Sequence, residues 1–337
     1  MTEQRLYSVL SGVSKIGGIA ALWVVGSVVS AAPLQAVLEQ VAQDAPACKA
    51  AQPFYWEVGN KQGVQASGQA GDEAPNANTE MPIASATKWL FGAYVAEMRQ
   101  GQLTDSDKQA LTMQAGYVNY KHRLCVKVRQ SKQDALTVAD CFAESGPLAG
   151  HNDALTATAV GKFYYAGGHF QHWGAENGLG QLNDSRLAQT FNERLGPDLG
   201  IGFESPQLAG GARMSASHYG RFLRKLMRGE LRLGALLGAN AVCAQPAVCP
   251  QQALKSPIPS EYPWNYSLGH WVETGATGDG SFSSAGAFGF YPWISADKQT
   301  YGIVARMKKP GLRKRPAQDS VACGQQIRAA WRSMSGE

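Results

Sequence analysis

Met81-Pro82-Ile83-Ala84-Ser85-Ala86-Thr87-Lys88-Trp89-Leu90-Phe91 is the stretch on which the reading of this chain turns. A helix that starts at about Ser85 places Lys88 one turn on and on the same face, because residues three apart are neighbours on a helix surface. Hydroxyl and amine can then touch. The free N–H groups and partial positive charge of a helix N-terminus favour an alkoxide at Ser85 and the oxyanion of an attacked carbonyl. The apolar residues that follow (Trp89, Leu90, Phe91, Ala93, Tyr94, Val95) bury the helix, and a desolvated amine is pushed toward its neutral, basic form. The pattern is that of a serine activated without a histidine. The same letters recur at Ser295-Ala296-Asp297-Lys298, where Trp293-Ile294 indicates a strand ending in a turn. Proline and small residues leading in, and Gly101 as a stop, single out the first copy.

Upstream, Arg5 and Lys15 precede an uncharged run from Ile16 to Ala32 that ends in Ser30-Ala31-Ala32. This is the form of a secretory signal over residues 1–32, cleaved after Ala31 or Ala32, and it is short for a membrane span. The mature chain is therefore expected to be periplasmic or secreted, with no stable membrane span after cleavage. All six cysteines lie beyond that point, and an even number in an oxidising compartment argues for disulfides. No Cys-x-x-Cys pair occurs, so the spacing alone leaves the connectivity open and gives no zinc site.

About 300 of the 337 residues remain, enough for one large domain or a domain with a sizeable insertion. The net charge of +5 owes much to Lys308-Lys309-Pro310-Gly311-Leu312-Arg313-Lys314-Arg315-Pro316. Without interleaved aromatics this reads as a solvated basic loop, and no nucleic-acid partner is expected.

Phe54 to Val58 and Val64 to Gly68 flank a Gly/Asn turn and read as a β-hairpin. Amphipathic helical pieces follow at Thr104–Met113, Thr156–Tyr165, Asp184–Leu195 and Ser215–Arg228. Strand character returns at Ser267–Glu273, Ala287–Ile294 and Thr300–Met307, and a last helix spans about Gln318 to Met334. Strands at both ends enclosing a helical middle give an α/β fold, a sheet flanked by helices with an inserted all-helical subdomain. The α/β part is expected over about 45–102 and 255–337, and the insertion over about 103–254.

The order of these pieces resembles a known family. Ala66-Ser67-Gly68-Gln69-Ala70-Gly71 closes the hairpin; Ser85-x-x-Lys88 follows, then Leu111 to Tyr117. Ala209-Gly210-Gly211-Ala212-Arg213-Met214-Ser215 precedes a helix, and Phe282 to Ile294 comes last. This is similar to the serine β-lactamase and penicillin-binding-protein superfamily, in the class C β-lactamase-like branch that includes D-aminopeptidases and family VIII carboxylesterases. The resemblance implies a β-lactamase/transpeptidase-like fold with an antiparallel sheet, Ser85 as nucleophile and Lys88 as its activating partner. Its proton-shuttling tyrosine corresponds to Tyr164 or Tyr165 in Lys162-Phe163-Tyr164-Tyr165-Ala166-Gly167-Gly168-His169, where the family's asparagine is replaced by Ala166 or Gly167. Tyr117-Val118-Asn119 comes too early for that motif and is assigned to a pocket-lining loop, with Tyr117 and Asn119 as substrate contacts. Ser284-Ala285-Gly286 occupies the place of the third motif, rather than the literal near-match Glu273-Thr274-Gly275. Ser284 stands there for a lysine or histidine, Gly286 lets substrate lie along the strand, and the N–H groups of Ser85 and Ala287 form the oxyanion hole. The terminal elements of this family pack side by side, which implies Cys48–Cys323, with Cys125–Cys141 and Cys243–Cys249 closing local loops.

Rival chemistries lack their patterns. No Gly-x-Ser-x-Gly elbow, His-Glu-x-x-His or Gly-rich phosphate loop is present, and His169 and His172 read as structural or pocket-lining. No metal or cofactor is expected; the partner is a small-molecule acyl substrate. The expected reaction is acyl transfer to water through Ser85, on small esters or amides. Phe282, Phe288, Tyr291 and Tyr117 are expected to form an apolar acyl pocket that favours esters. A β-lactamase or D-alanyl peptidase is the alternative within the family, and a weakly catalytic envelope binding protein the alternative from another class.

Overall fold

A computed structural model describes residues 31–121, 125, 136–142, 154–309, 311 and 315–335. The expected signal sequence lies almost wholly outside the described residues, as does part of the basic run at 308–316. Two helices, α1 (Ala31–Asp44) and α2 (Pro46–Ala51), lead into β1 (Phe54–Asn60) and β2 (Val64–Ala70). The hairpin turn is held by the Asn60 side chain, whose Oδ1 accepts from Gln62 N–H at 2.9 Å, and by Asn60 N–H donating to Gly63 O at 2.9 Å.

After β3 (Met81–Pro82) a single 3-10 turn at Ala84–Ala86 runs into α3 (Thr87–Met98). Every residue of α3 from Thr87 to Ala96 is buried, so the helix is enclosed on all sides. It stops where Gln100 and Gly101 take positive φ and Gly101 N–H donates back to Ala96 O at 2.8 Å. Next come α4 (Asp105–Leu111), β4 (Phe163–Tyr164), α5 (Gly168–Glu176), α6 (Asp184–Leu195), β5 (Gly202–Phe203), β6 (Ala212–Met214) and α7 (Ala216–Met227). Side-chain caps start three of them: Thr104 with Asp107 on α4, Asn183 on α6 and Ser215 on α7.

The rest of the chain is mostly strand: β7 (Val242–Cys243), β8 (Ala253–Lys255), β9 (Asn265–Tyr266), β10 (Trp271–Val272), β11 (Phe282–Ser283), β12 (Tyr291–Ile294) and β13 (Thr300–Ala305), closed by α8 (Pro316–Ser335). Eight strands make one antiparallel sheet in the order β2-β1-β13-β12-β11-β10-β9-β7. Register fixes its two faces. Tyr291 pairs with Val304, and both lie against Gly324 of α8, while Glu57 on β1 points at Gly220 of α7. The sheet is thus covered on both sides, with α1, α2 and α8 on the outer face. Its last strand β7 falls inside the span 103–254 expected to be helical, and α7 packs on β13 rather than within a separate helical unit.

Three stretches differ from expectation. Residues 156–165 are not a helix but a 3-10 turn at Ala157–Ala159 followed by β4, which pairs parallel with β8; Gly161, at φ +75°, ends the turn. Ser267–Glu273 is not one strand, because Gly269, at φ +84°, makes a tight turn and Ser267 N–H donates to His270 O at 2.8 Å. Residues 287–290 form the turn into β12 instead of its beginning, with Gly289 at φ +101°.

The three disulfides are Cys48–Cys323, Cys125–Cys141 and Cys243–Cys249, with Cα separations of 4.4, 5.5 and 6.4 Å. The first joins α2 to α8 across 275 residues. In the loop-entropy model a closure of that length stabilises by about 5–6 kcal/mol. A Cys48→Ser/Cys323→Ser double variant is therefore expected to fold with a markedly lower urea midpoint, whereas opening the six-residue Cys243–Cys249 loop lowers it much less. Equilibrium unfolding of the three proteins checks the ranking.

Candidate active site

Ser85 sits on the 3-10 turn between β3 and α3, and long-range hydrogen bonds hold that turn. Ile83 N–H donates to Ala212 O at 3.1 Å. Thr87 Oγ1 donates to Ala84 O at 2.7 Å and accepts from Ala212 N–H at 3.1 Å. Ala84 is forced to φ +45°, a left-handed conformation that non-glycine residues rarely adopt. The pairing of β3 with β6 also carries the loop before β6 over the turn, which places the Ala209 carbonyl beside Lys88.

Lys88 Nζ lies 3.0 Å from Ser85 Oγ and donates to Ala209 O at 2.6 Å. Burial pushes the amine down to about 7, and among the described residues no carboxylate forms an ion pair with it. A neutral amine in this position donates to Ala209 and keeps its lone pair for the serine proton.

Of the adjacent tyrosines, only Tyr165 reaches this centre. Lys88 Nζ lies 4.8 Å from the centre of the Tyr165 ring. Burial pushes the Tyr165 phenol up to about 12, and a hydrogen bond with Ser85 pulls the other way. Tyr164 instead faces Lys255, 5.2 Å from its ring centre. The Tyr165 ring stacks on Trp271 at 5.5 Å.

Beyond β11, Ser284 N–H donates to Pro292 O at 3.3 Å and Gly286 N–H to Phe290 O at 2.8 Å. Ala285 and Ala287, on either side of Gly286, line the same cavity as Ser85. Ser284 Oγ donates to Ser85 O at 3.2 Å. Gly286 passes so close that an added Cβ would sit 2.2 Å from Ile83 O. Glu273 of the near-match Glu-Thr-Gly is elsewhere, buried with Arg328 at 2.7 Å and Tyr291 OH at 2.6 Å. The second Ser-x-x-Lys forms the β12–β13 turn, with Lys298 Nζ on Gly234 O at 2.9 Å.

Ser85, Tyr165, Ala285 and Ala287 open onto a cavity of about 610 Å³. Its opposite wall comes from Pro257–Pro259, Tyr262, Trp264 and Trp271, with the first turn of α8 and exposed Arg315 at its rim. The sequence reading missed this wall; its signal is the cluster Pro257-Ile258-Pro259 and Tyr262-Pro263-Trp264, apolar residues in a loop. Tyr117 and Asn119 do not line the cavity: Tyr117 stacks on His172 at 3.8 Å, and Asn119 donates to Thr156 at 3.3 Å. Phe282, Phe288 and Tyr291 do not line it either, because Phe282 packs on His270 and Tyr291 turns to Glu273. His169 is buried, with its ring nitrogen 2.9 Å from Tyr164 O and its pKa lowered by burial to about 4. Among the described residues no group of three His, Cys, Asp or Glu side chains could hold a metal, and no helix is long and apolar enough to cross a membrane.

No family model and no curated protein matches the chain. Solved structures do. EstCE1, a hydrolase with promiscuous acyltransferase activity, is 14% identical over 89% of this chain and 99% of its own, with a TM-score of 0.60. A D-stereospecific amidohydrolase from Streptomyces is 14% identical over 88% and 98%, with a TM-score of 0.59. A β-lactamase from Mycobacterium bovis is 15% identical over 86% and 99%, with a TM-score of 0.56. The chain has the fold of the serine β-lactamase and penicillin-binding-protein superfamily, as its motif order led one to expect.

The geometry separates the two tyrosines experimentally. Tyr165→Phe is expected to slow acylation of Ser85 by two to three orders of magnitude, as loss of a positioned proton donor does, while Tyr164→Phe stays within a few-fold of wild type. Stopped-flow acylation with an activated ester measures both.

Proposed function

We propose that this chain is an exported serine hydrolase that forms an acyl-enzyme on Ser85 and transfers the acyl group to water, acting on small esters or amides. The observation that carries this reading is the contact of a buried amine, poised at about 7, with a serine hydroxyl at 3.0 Å. Lys88 takes the proton as Ser85 Oγ attacks the carbonyl, and the tetrahedral oxyanion is held by the N–H groups of Ser85 and Ala287. Tyr165 then gives a proton to the departing oxygen or nitrogen and is recharged from Lys88. Water enters by the same route reversed, releasing the acid and the free serine. Three disulfides support an oxidising compartment, periplasmic or extracellular.

Two substitutions favour esters over β-lactams and D-alanyl peptides. Ala166 and Gly167 supply no side-chain amide for an acylamino group, and Ser284 offers a neutral hydroxyl already donated to the backbone of Ser85. One observation favours the second reading, turnover of an anionic cell-wall-type substrate: Arg315 brings a guanidinium to the rim of the cavity.

Labelling with a fluorophosphonate and with fluorescent penicillin, beside Ser85→Ala, separates the readings. Fluorophosphonate labelling lost in Ser85→Ala supports the hydrolase; strong penicillin labelling selects the second reading; no labelling by either favours a binding protein. Lys88→Arg replaces the neutral amine by a fixed cation that cannot serve as a base, so it is expected to abolish turnover, with circular dichroism checking that the fold is kept.

The pH dependence has a definite sign. The active form carries neutral Lys88, whose value in the fold is about 7. Activity is therefore expected to rise through neutrality toward a plateau above it, and to fall about tenfold per pH unit on the acid side. A kcat/KM profile with no acid limb near neutrality would remove Lys88 as the base.

A further inference from the structure

One wall of the cavity beside Ser85 is formed by Tyr165 and the aromatic residues next to it. In the collapse of a tetrahedral intermediate the leaving oxygen must face the group that protonates it, and here that group is the Tyr165 phenol. Whatever the leaving oxygen carries projects past Tyr165. The Tyr165 ring begins a continuous run of aromatic contacts: Trp271 stacks on it at 5.5 Å, Trp264 meets Trp271 at 6.4 Å, and Tyr262 meets Trp264 at 5.0 Å. All four line the cavity, and Pro257, Ile258 and Pro259 close it. The space of about 610 Å³ is within the range that holds a drug-sized ligand, far more than a methanol or ethanol leaving group fills.

We infer that this cavity is a leaving-group pocket, and that the esters this site takes are those of bulky apolar alcohols, alkyl or aryl, whose hydrocarbon part lies against Trp271, Trp264, Tyr262 and Ile258. The inference rests on the acyl-enzyme reading above and names the half of the substrate on which selection falls. Trp264 and Trp271 are buried parts of the core and form the fixed floor. Ile258 and Tyr262 are half-buried and form the side that a substrate covers. The chemistry balances as ordinary ester hydrolysis. Ser85 Oγ bonds to the carbonyl carbon as its proton passes to Lys88; the carbon–alkoxy bond breaks; Tyr165 protonates the alkoxide; water then cleaves the acyl-serine.

The assignment has a kinetic signature. Esters of one acid with different alcohols give the same acyl-enzyme, so the alcohol acts only before that intermediate. Burying hydrocarbon favours the transition state by about three- to fourfold per methylene. From ethyl to hexyl acetate, kcat/KM is expected to rise by about a hundredfold, while kcat converges on the common deacetylation rate. The matched acyl series, ethyl acetate to ethyl hexanoate, is expected to be much flatter. Ile258→Asp, which sets a charge against the hydrocarbon, is expected to cut the hexyl-to-ethyl ratio at least tenfold. The wild-type series decides the matter whether or not that variant folds.

A flat alcohol series, or a steeper rise in the acyl series, overturns the inference. Absence of an acetyl adduct on Ser85 with every ester, read by mass spectrometry of acid-quenched protein, overturns the acyl-enzyme reading and the inference with it. Brisk turnover that ignores the length of the alcohol overturns the pocket's assignment alone.

Discussion

A primary amine sealed inside the fold, with a carbonyl and a hydroxyl as its hydrogen-bonding contacts, is the constraint around which this structure is arranged. Desolvation disfavours the charged form of Lys88, and the Ala209 carbonyl and Ser85 hydroxyl can both be satisfied by the neutral one. Keeping water out requires dense packing on every side of α3. Two glycines make this possible: a Cβ on Gly269 would sit 2.4 Å from Lys88 O, and one on Gly92 would sit 2.4 Å from Leu268 O. The β9–β10 turn therefore lies directly on the helix backbone. The same turn broke the expected strand at 267–273, so that departure from regular pairing is what lets the sheet close on this side of α3.

The parts that could be read in the sequence depend on near neighbours. Ser85 and Lys88 are three residues apart, the β1–β2 hairpin is announced by its turn, and α6 and α7 carry their caps in sequence, so each was visible without knowing the fold. Tyr165 could not be told from Tyr164, because the choice depends on β4 pairing with β8, some ninety residues on. The helical reading of 156–165 failed for the same reason: Phe163 is buried by its pairing with Ala253, not by a helix face. The cavity wall at 257–264 has no regular structure, and apolar residues in a loop give no periodic signal; only the strands behind it decide which way they point. Tyr117, an aromatic next to a motif-like asparagine, found a local partner in His172 instead of the cleft.

The two altered motifs have different physical consequences. At the second, the missing amide leaves no vacancy, because the Tyr120 ring stands 3.2 Å from where a Cβ on Gly167 would be. An asparagine restored there meets a ring, not a substrate. At the third, the Ser284 hydroxyl holds the backbone of Ser85, which makes it a brace between sheet and serine turn. The chain keeps its close approach to the serine turn through Gly286, where a Cβ would meet Ile83 O.

The sheet's central partners come from opposite ends of the chain: β1 lies beside β13, and Cys48 is joined to Cys323. β1 (Phe54–Asn60) therefore waits, unpaired along one edge, until β13 (Thr300–Ala305) has been made. Contacts of such long sequence separation form slowly, and an exposed edge invites wrong partners in the interval. A sheet arranged in this way cannot be completed until β13 has been made. For the export proposed above that delay is an advantage, and the Cys48–Cys323 bond then closes only where oxidants are present.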